Sequence, residues 1–175
     1  KIKKKVFFFD NLDIRLHEKF KEIKNIQSSC IIVISKSGET LETISNFGAV
    51  FKKIPLKNKL IFITENKNNS LRKIADQFNS EIIEYKKNIG GRFSVLSESS
   101  MLPAQLMNLK VNNFRNLDQL IENKKFADSL INSVACIYTL NQIGMNNSVI
   151  LNYDSSLNDL GSWYQQIVAE SLGKK

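Results

Sequence analysis

Histidine and cysteine, the residues of most zinc centres and of many nucleophilic sites, are nearly missing from this chain. Its 175 residues include one histidine, His17, and two cysteines, Cys30 and Cys136. A single imidazole excludes a zinc site that needs several histidines, and nothing near His17 resembles a catalytic triad. The cysteines lie in apolar stretches without metal-type spacing, which predicts buried free thiols, no metal and a reducing compartment.

Long hydrophobic runs are also missing. No segment approaches the roughly 20 apolar residues that span a bilayer. A basic start leads into Val6–Phe9, but this run is too short for a signal peptide, and Asp10 follows it without a cleavage site. The hydrophobic content of 42% and the charged content of 24% are typical of a soluble globular protein. We therefore expect no membrane segment.

Arginine is scarce, although the formal net charge is +8. The four arginines are scattered, and the lysines are interleaved with acidic residues. Specific nucleic-acid-binding proteins concentrate arginine and aromatic side chains on one element. The composition therefore predicts no nucleic-acid partner, although a positive field attracts anionic metabolites. The discounted alternative, a nucleic-acid-binding protein, would show steeply salt-dependent binding.

Short apolar runs alternate with stretches of helical periodicity over the first half of the chain. This alternation predicts a parallel α/β sheet with helices on both faces. Helices dominate after a loop over residues 86–94, apart from one more strand core at Ser148–Asn152. The predicted strands of the first half are Val6–Phe9, Cys30–Ile34, Lys59–Thr64 and Glu81–Tyr85, and the predicted helices span about 14–24, 39–53, 69–78, 98–108, 117–122, 127–143 and 157–172.

The segment Ser35–Thr40 lies where the strand Cys30–Ile34 turns into a helix. Such a turn directs backbone N–H groups and the positive end of a helix dipole at one point, which suits a phosphate. Gly38 allows close backbone approach, and ligands of parallel sheets bind at the carboxyl ends of strands. The alternative is an ordinary helix N-cap at Ser37 or Thr40.

Three segments together resemble the glucose-6-phosphate isomerase family, whose domains have the sugar isomerase (SIS) fold. Ser35–Thr43 resembles the phosphate loop that many sugar-phosphate proteins share. Gly90–Val95, followed by Leu102-Pro103, and Trp163–Lys174 resemble the two signatures of the isomerases, in the same order. The resemblance covers nearly the whole chain.

This resemblance implies reversible isomerisation of glucose 6-phosphate and fructose 6-phosphate through a cis-enediol. Glu170 would be the base that moves the proton between C2 and C1, and Arg92 would stabilise the enediolate. Taken alone, Glu170 is typical of a solvated helical carboxylate and Arg92 of a surface turn. The expected sugar-phosphate contacts are Gly91, which shapes the loop over residues 86–94 that carries Arg92 (the arginine loop), and Ser35, Lys36 (through its backbone N–H), Ser37, Thr40 and Gln166.

The resemblance also implies a three-layer αβα sandwich of SIS type with a mainly parallel sheet. Residues 1–110 would form most of a first SIS domain without its first strand, 111–146 a helical connection, and 147–175 the first strand and helix of a second SIS domain. The family's Gly-x-Gly-Gly-Ser segment, ring-opening histidine and C-terminal lysine have no counterpart here, since neither His17 nor Lys174 matches. We therefore expect an internal piece of a longer enzyme that is inactive alone.

The expected enzyme is cytoplasmic, uses no metal or organic cofactor, and acts on a sugar 6-phosphate. A homodimer is expected because active sites of the family borrow the histidine from a neighbouring subunit. The alternative is a non-catalytic SIS module that senses sugar phosphates, as in some regulators. Such a module needs the loop at Ser35–Thr40 but not Glu170 or Arg92, so the presence of both residues argues against it.

Overall fold

A computed structural model of the chain describes residues 4–12, 14–55 and 59–173. The chain forms two compact units, Lys1–Val111 and Asn112–Lys175. The helices are α1 (Ile14–Lys21), α2 (Leu41–Val50), α3 (Ser70–Gln77), α4 (Glu98–Leu106), α5 (Val111–Arg115), α6 (Asp118–Glu122), α7 (Lys124–Gln142) and α8 (Asn158–Leu172). Short 3₁₀ turns cover residues 26–28, 51–53, 91–96 and 155–157.

A three-stranded parallel sheet organises the first unit. Its strands β1 (Cys30–Ile34), β2 (Lys59–Thr64) and β3 (Glu81–Glu84) lie in the order β1-β2-β3, with Ile32 opposite Ile61 and Phe62 opposite Ile82. Successive side chains of a strand point to opposite faces. Phe62, Ile61 and Ile63 are all buried, so the central strand is covered on both faces. The predicted α/β class with a parallel sheet is confirmed.

Helices α2 and α3 share one core with this sheet. The buried cluster joins Val33 and Phe62 of the sheet to Phe47 of α2 and to Leu71 and Ala75 of α3. The ring of Phe47 packs edge-on against that of Phe62, with centroids 5.5 Å apart. These helices therefore fix the loops at the carboxyl ends of β1 and β2 to one rigid core.

Two predicted strands are wrong. Residues 6–9 and 148–152 have no strand structure, although both are apolar. A strand needs a hydrogen-bonded neighbour, and the described residues supply none for either segment. Phe8 and Val149 are accordingly exposed.

The predicted burial of the thiols is also wrong, because Cys30 lies at the exposed first residue of β1 and Cys136 on an exposed part of α7.

The second unit consists of helices that leave apolar side chains uncovered. No side chain of α6, α7 or α8 is buried among the described residues. Ile131 and Tyr138 on α7 and Leu160 on α8 are each more than half exposed. Apolar exposure of this extent is rare on the free surface of a soluble domain. None of the described helices is long and apolar enough to cross a membrane.

Candidate functional site

The loop Ser35–Thr40 is anchored to the end of the neighbouring strand. The Ser35 N–H donates to the carbonyl of Ile63 at 3.0 Å, which extends the parallel pairing by one residue beyond β1. The carbonyl of Lys36 accepts the N–H of Glu65 at 3.1 Å. The loop thus starts at the carboxyl edge of the sheet, where the sequence predicted it.

The hydroxyl groups of the loop bond within it. Ser35 Oγ lies 2.7 Å from Thr40 Oγ1 and accepts the N–H of Gly38 at 3.1 Å, and Ser37 Oγ accepts the N–H of Glu39 at 3.1 Å. Thr40 takes the N-cap position of α2, but its side chain makes no capping hydrogen bond. The N-cap alternative therefore does not account for these hydroxyls, which shape the loop instead.

Gly38 packs directly against the side chain of Asn69 at the centre of the loop. Gly38 has a φ of +70°, and a Cβ atom built on it would lie 2.1 Å from Cγ of Asn69. Asn69 is only 2% exposed. Its Oδ1 accepts the N–H of Arg72 at 2.8 Å, and its Nδ2 donates to Thr64 Oγ1 at 3.1 Å. Asn69 therefore ties the loop Ser35–Thr40 to the end of β2 and the start of α3.

Asn69 is the N-cap of α3, and Ser70 is the first residue of the helix. Asparagine and serine are both favoured N-cap residues, so the pair Asn69-Ser70 was ambiguous by propensity. Ser70 instead meets the Glu39 carboxylate, to which its N–H donates at 2.7 Å and its hydroxyl at 2.8 Å. Sequence reasoning missed Asn69 as part of the site for this reason.

Glu39 makes the attachment of the loop to α3 sensitive to acid. The hydrogen bond from the Ser70 N–H, and then that from its hydroxyl, lowers the pKa of Glu39. A carboxyl with a lowered folded-state pKa stabilises the fold above its unfolded pKa, and this contribution is lost as the pH falls through the folded pKa. We expect Glu39→Gln to lower the thermal midpoint near neutral pH and to converge with the wild type in acid, measured by thermal unfolding from about pH 7 to about pH 3.

Glu42→Gln is the matched control, because it removes the same charge from the first turn of α2. It should follow the wild-type pH profile more closely than Glu39→Gln does. If the thermal midpoints of the wild type and Glu39→Gln changed in parallel with pH, the contact with Ser70 would contribute nothing to the pH dependence of stability.

The segment Gly90–Arg92 opens the 3₁₀ turn that precedes α4. Gly90 is its N-cap and its carbonyl accepts the N–H of Phe93 at 3.0 Å, while Ser94 Oγ donates to the carbonyl of Gly91 at 2.7 Å. A Cβ atom on Gly91 would meet nothing within 4 Å. Arg92 is half-buried, and its guanidinium carbon lies 5.8 Å from the ring centroid of Phe93.

An open cleft of about 550 Å³ lies in the first unit between the phosphate loop and the arginine loop. Ser35 and Lys36 line it together with Gly91, so the structure brings these three predicted site residues to one place. Ser37, Thr40 and Arg92 belong to the same two loops without lining the cleft themselves. Its other walls are formed by Phe8, Ile34, Tyr85, Ser94, Ser99, Ser100, Pro103 and Met107.

Three serines of the cleft wall were not predicted as site residues. Ser94, Ser99 and Ser100 all line the cleft. Buried Ser97 supports them, because its hydroxyl donates to the carbonyl of Ser94 at 2.7 Å and lies 3.2 Å from Ser99 Oγ. The high serine content of residues 94–100 is the sequence feature that could have indicated this wall. These hydroxyls supply donors and acceptors that suit a polyhydroxylated ligand.

Gln166 and Glu170 lie in the second unit, one turn apart on α8. The Gln166 amide Nε2 donates to Glu170 Oε1 at 3.0 Å, and both residues are exposed. This bond orients the carboxylate. The side chain of His17 and the whole of Lys174 lie outside the described part of the chain. Among the described residues, no three His, Cys, Asp or Glu side chains are grouped closely enough to hold a metal ion.

The first unit is a parallel α/β domain whose hydroxyl-rich loop meets a cleft of mixed apolar and serine lining at the carboxyl edge of its sheet, an arrangement suited to a phosphate-bearing metabolite. The family model of phosphoglucose isomerase matches residues 1–175, so the chain belongs to the phosphoglucose isomerase family. This match confirms the resemblance seen in the three motifs.

Relatives with assigned functions agree with the family. The chain is 33% identical to the glucose-6-phosphate isomerase of Methanocaldococcus jannaschii, over 96% of this chain and 44% of the relative. It is 28% identical to that of Carboxydothermus hydrogenoformans, over 98% of this chain and 39% of the relative. The chain therefore spans about two fifths of the length of these relatives.

A solved structure shares the fold. The crystal structure of a hypothetical protein from Thermus thermophilus is similar to this chain, with a TM-score of 0.80 and 24% sequence identity. The similarity covers 96% of this chain and 42% of that protein.

Proposed function

We propose that the whole protein is a glucose-6-phosphate isomerase that interconverts glucose 6-phosphate and fructose 6-phosphate. The observation that carries this proposal is the family match over residues 1–175. The cleft supports it, because the phosphate loop and Gly91 line the same cavity. The chain offers both a phosphate anchor and a carboxylate base, which are the groups that an aldose–ketose isomerisation needs.

The proposed reaction moves one proton within the sugar. Glu170 takes the proton from C2 of the open-chain aldose, the C2–H electron pair forms the C1–C2 double bond, and the π pair of the C1 carbonyl moves to O1. The carboxylic acid then returns the proton to C1 while the O2 hydroxyl proton passes to O1, which leaves the C2 carbonyl of the ketose. Gln166 orients the Glu170 carboxylate through its 3.0 Å hydrogen bond. Arg92 stabilises the charge that develops on the enediolate oxygen.

The phosphate does not react, so its role is to place the sugar. Lys36 contributes a backbone N–H, and Ser35, Ser37 and Thr40 contribute hydroxyls, while Gln166 assists. The hydroxyls now bond within the loop, and these bonds must be exchanged for bonds to the phosphate. Binding energy from the phosphate then holds C1 and C2 near the base.

The deciding experiment follows glucose 6-phosphate with the whole protein in deuterated water. We expect fructose 6-phosphate to form with deuterium at C1, and the glucose 6-phosphate that re-forms by the reverse reaction to carry deuterium at C2. Binding of the sugar phosphate without either change would replace this proposal with a non-catalytic SIS module that senses sugar phosphates. No binding at all would exclude both functions.

The same proposal includes a cytoplasmic homodimer that works without a metal or organic cofactor. The family relationship supports the dimer, because related active sites take a histidine from the neighbouring subunit. Sedimentation of the whole protein tests it. A monomer that retains full turnover would refute the shared active site.

A further inference from the structure

The side chain of Lys36 joins the phosphate loop to the segment before Gly90. Its ammonium group donates to the carbonyl of Lys87 at 3.3 Å and to the carbonyl of Ile89, and it pairs with Glu65 Oε1 at 3.4 Å. An ammonium group has three N–H donors, so these three acceptors match its capacity. The Lys36 side chain is 27% exposed and that of Glu65 is 15% exposed.

Glu65 provides a fixed anion for this contact. Lys67 pairs with its other oxygen at 3.0 Å. Hydrogen bonding from Lys67, with a smaller contribution from Lys36, lowers the pKa of Glu65. The centroid of the Tyr85 ring lies 5.7 Å from the ammonium nitrogen of Lys36. Lys36 is thus held by a carboxylate, two carbonyls and an aromatic face.

The carbonyls that Lys36 contacts belong to a segment with no strand or helix. Residues 86–90 lie between β3 and the 3₁₀ turn at 91–96. Within the segment, the N–H of Ile89 donates to the carbonyl of Lys86 at 3.2 Å. A segment of this kind opens easily unless side chains hold it. The bonds from Lys36 therefore bear directly on where Gly91 and Arg92 sit.

The backbone of Lys36 is anchored as well. Its carbonyl accepts both the N–H of Glu65 at 3.1 Å and the hydroxyl of Thr64 at 3.4 Å. One residue therefore contacts the end of β2 through its backbone and the arginine loop through its side chain. We propose that Lys36 is a positioning residue. Its side chain extends from the phosphate loop and holds the segment 86–90, which determines the position of Arg92. This inference rests on the proposed isomerase function.

The role predicts a specific kinetic pattern. The phosphate is bound equally in the ground state and in the transition state, whereas the enediolate charge that Arg92 meets develops only in the transition state. Losing the Lys36 side chain leaves its backbone N–H in place. The loss should therefore lower kcat with little effect on KM.

The test compares Lys36→Met, Lys36→Arg and Lys67→Met in the whole protein. Lys36→Met should lower kcat about 10- to 100-fold, as expected for lost hydrogen bonds from a charged group. Its KM should stay within about threefold of the wild type, because the phosphate contacts persist. Lys36→Arg should recover part of kcat. Lys67→Met is the matched control, since Lys67 pairs with the same carboxylate, and it should retain wild-type kcat.

Two further measurements separate positioning from stability and from catalysis. Amide hydrogen exchange at residues 86–93 should rise about tenfold in Lys36→Met and stay unchanged in Lys67→Met. Binding of a non-isomerisable hexitol 6-phosphate should change less than about threefold, because this ligand develops no enediolate charge. Faster exchange throughout the first unit would reduce Lys36 to a general stabilising residue and overturn the proposal.

A raised KM with unchanged kcat would also overturn it, because it would make the side chain a phosphate ligand. Unchanged amide hydrogen exchange at residues 86–93 in Lys36→Met would also overturn the proposal. If the wild-type whole protein fails to isomerise glucose 6-phosphate, the proposed function fails, whereas the exchange measurement still decides whether Lys36 holds the arginine loop.

Discussion

Glu170→Gln in the whole protein is expected to lower kcat for isomerisation by about 10²- to 10⁴-fold, the usual contribution of a general base. An amide is nearly the same size as a carboxylate but cannot accept the C2 proton. Its carbonyl oxygen can still accept the hydrogen bond that Gln166 now donates to Glu170 Oε1. The local shape of α8 should therefore survive, and the loss should appear in the chemistry.

Deuterium incorporation at C2 measures this loss directly, because it reports proton abstraction even when no product is released. Binding of a non-isomerisable hexitol 6-phosphate should be nearly unchanged. Glu122→Gln is the matched control, since Glu122 is an exposed glutamate on α6 in the same unit. If Glu170→Gln incorporated deuterium at C2 at the wild-type rate, another group would be the base.

The second large effect is expected from Arg92→Met, which should lower kcat about 10²- to 10³-fold. This range is typical of removing one group that stabilises an oxyanion. The arginine acts on charge that exists only in the transition state, so KM should change little. Arg92→Lys should recover only part of the rate, because an ammonium group keeps the charge but loses the planar fork of donors.

The control for Arg92 is Lys86→Met. Lys86 lies at the start of the same loop, is mostly exposed, and pairs with Glu98 at 3.4 Å. Its removal changes the net charge by the same amount. If both variants lost the same activity, the general positive field of the protein would account for the effect, and Arg92 would have no specific contact with the enediolate.

Local sequence patterns predicted the sheet well where neighbours in space are also present in the described chain. The runs Cys30–Ile34 and Lys59–Thr64 form β1 and β2 as expected. Residues 6–9 and 148–152 have the same apolar character but no strand structure. Strand formation depends on a hydrogen-bonded partner far along the chain, and a local pattern carries no information about that partner.

In the candidate site, too, local patterns predicted the contacts between residues close in sequence but not those between residues far apart. The order of strand, hydroxyl-rich turn and helix placed Ser35–Thr40 at the sheet edge, and one helical turn placed Gln166 beside Glu170. Lys36, by contrast, meets carbonyls 51 and 53 residues further along the chain. Asn69 reaches Gly38 across a shorter but still long stretch of chain, because both follow parallel strands. Contacts of this range depend on the folded sheet and not on a motif.

The interlock of Gly38 and Asn69 constrains how this loop can evolve. Any side chain at position 38 would occupy the space that the Asn69 amide now fills. Shortening Asn69 would open that space, at the cost of the cap of α3. The two positions are therefore epistatic: the effect of a change at one depends on the residue at the other. A larger residue 38 therefore requires a smaller residue 69 first, and even then its φ of +70° would strain the backbone, so few loop sequences are reachable.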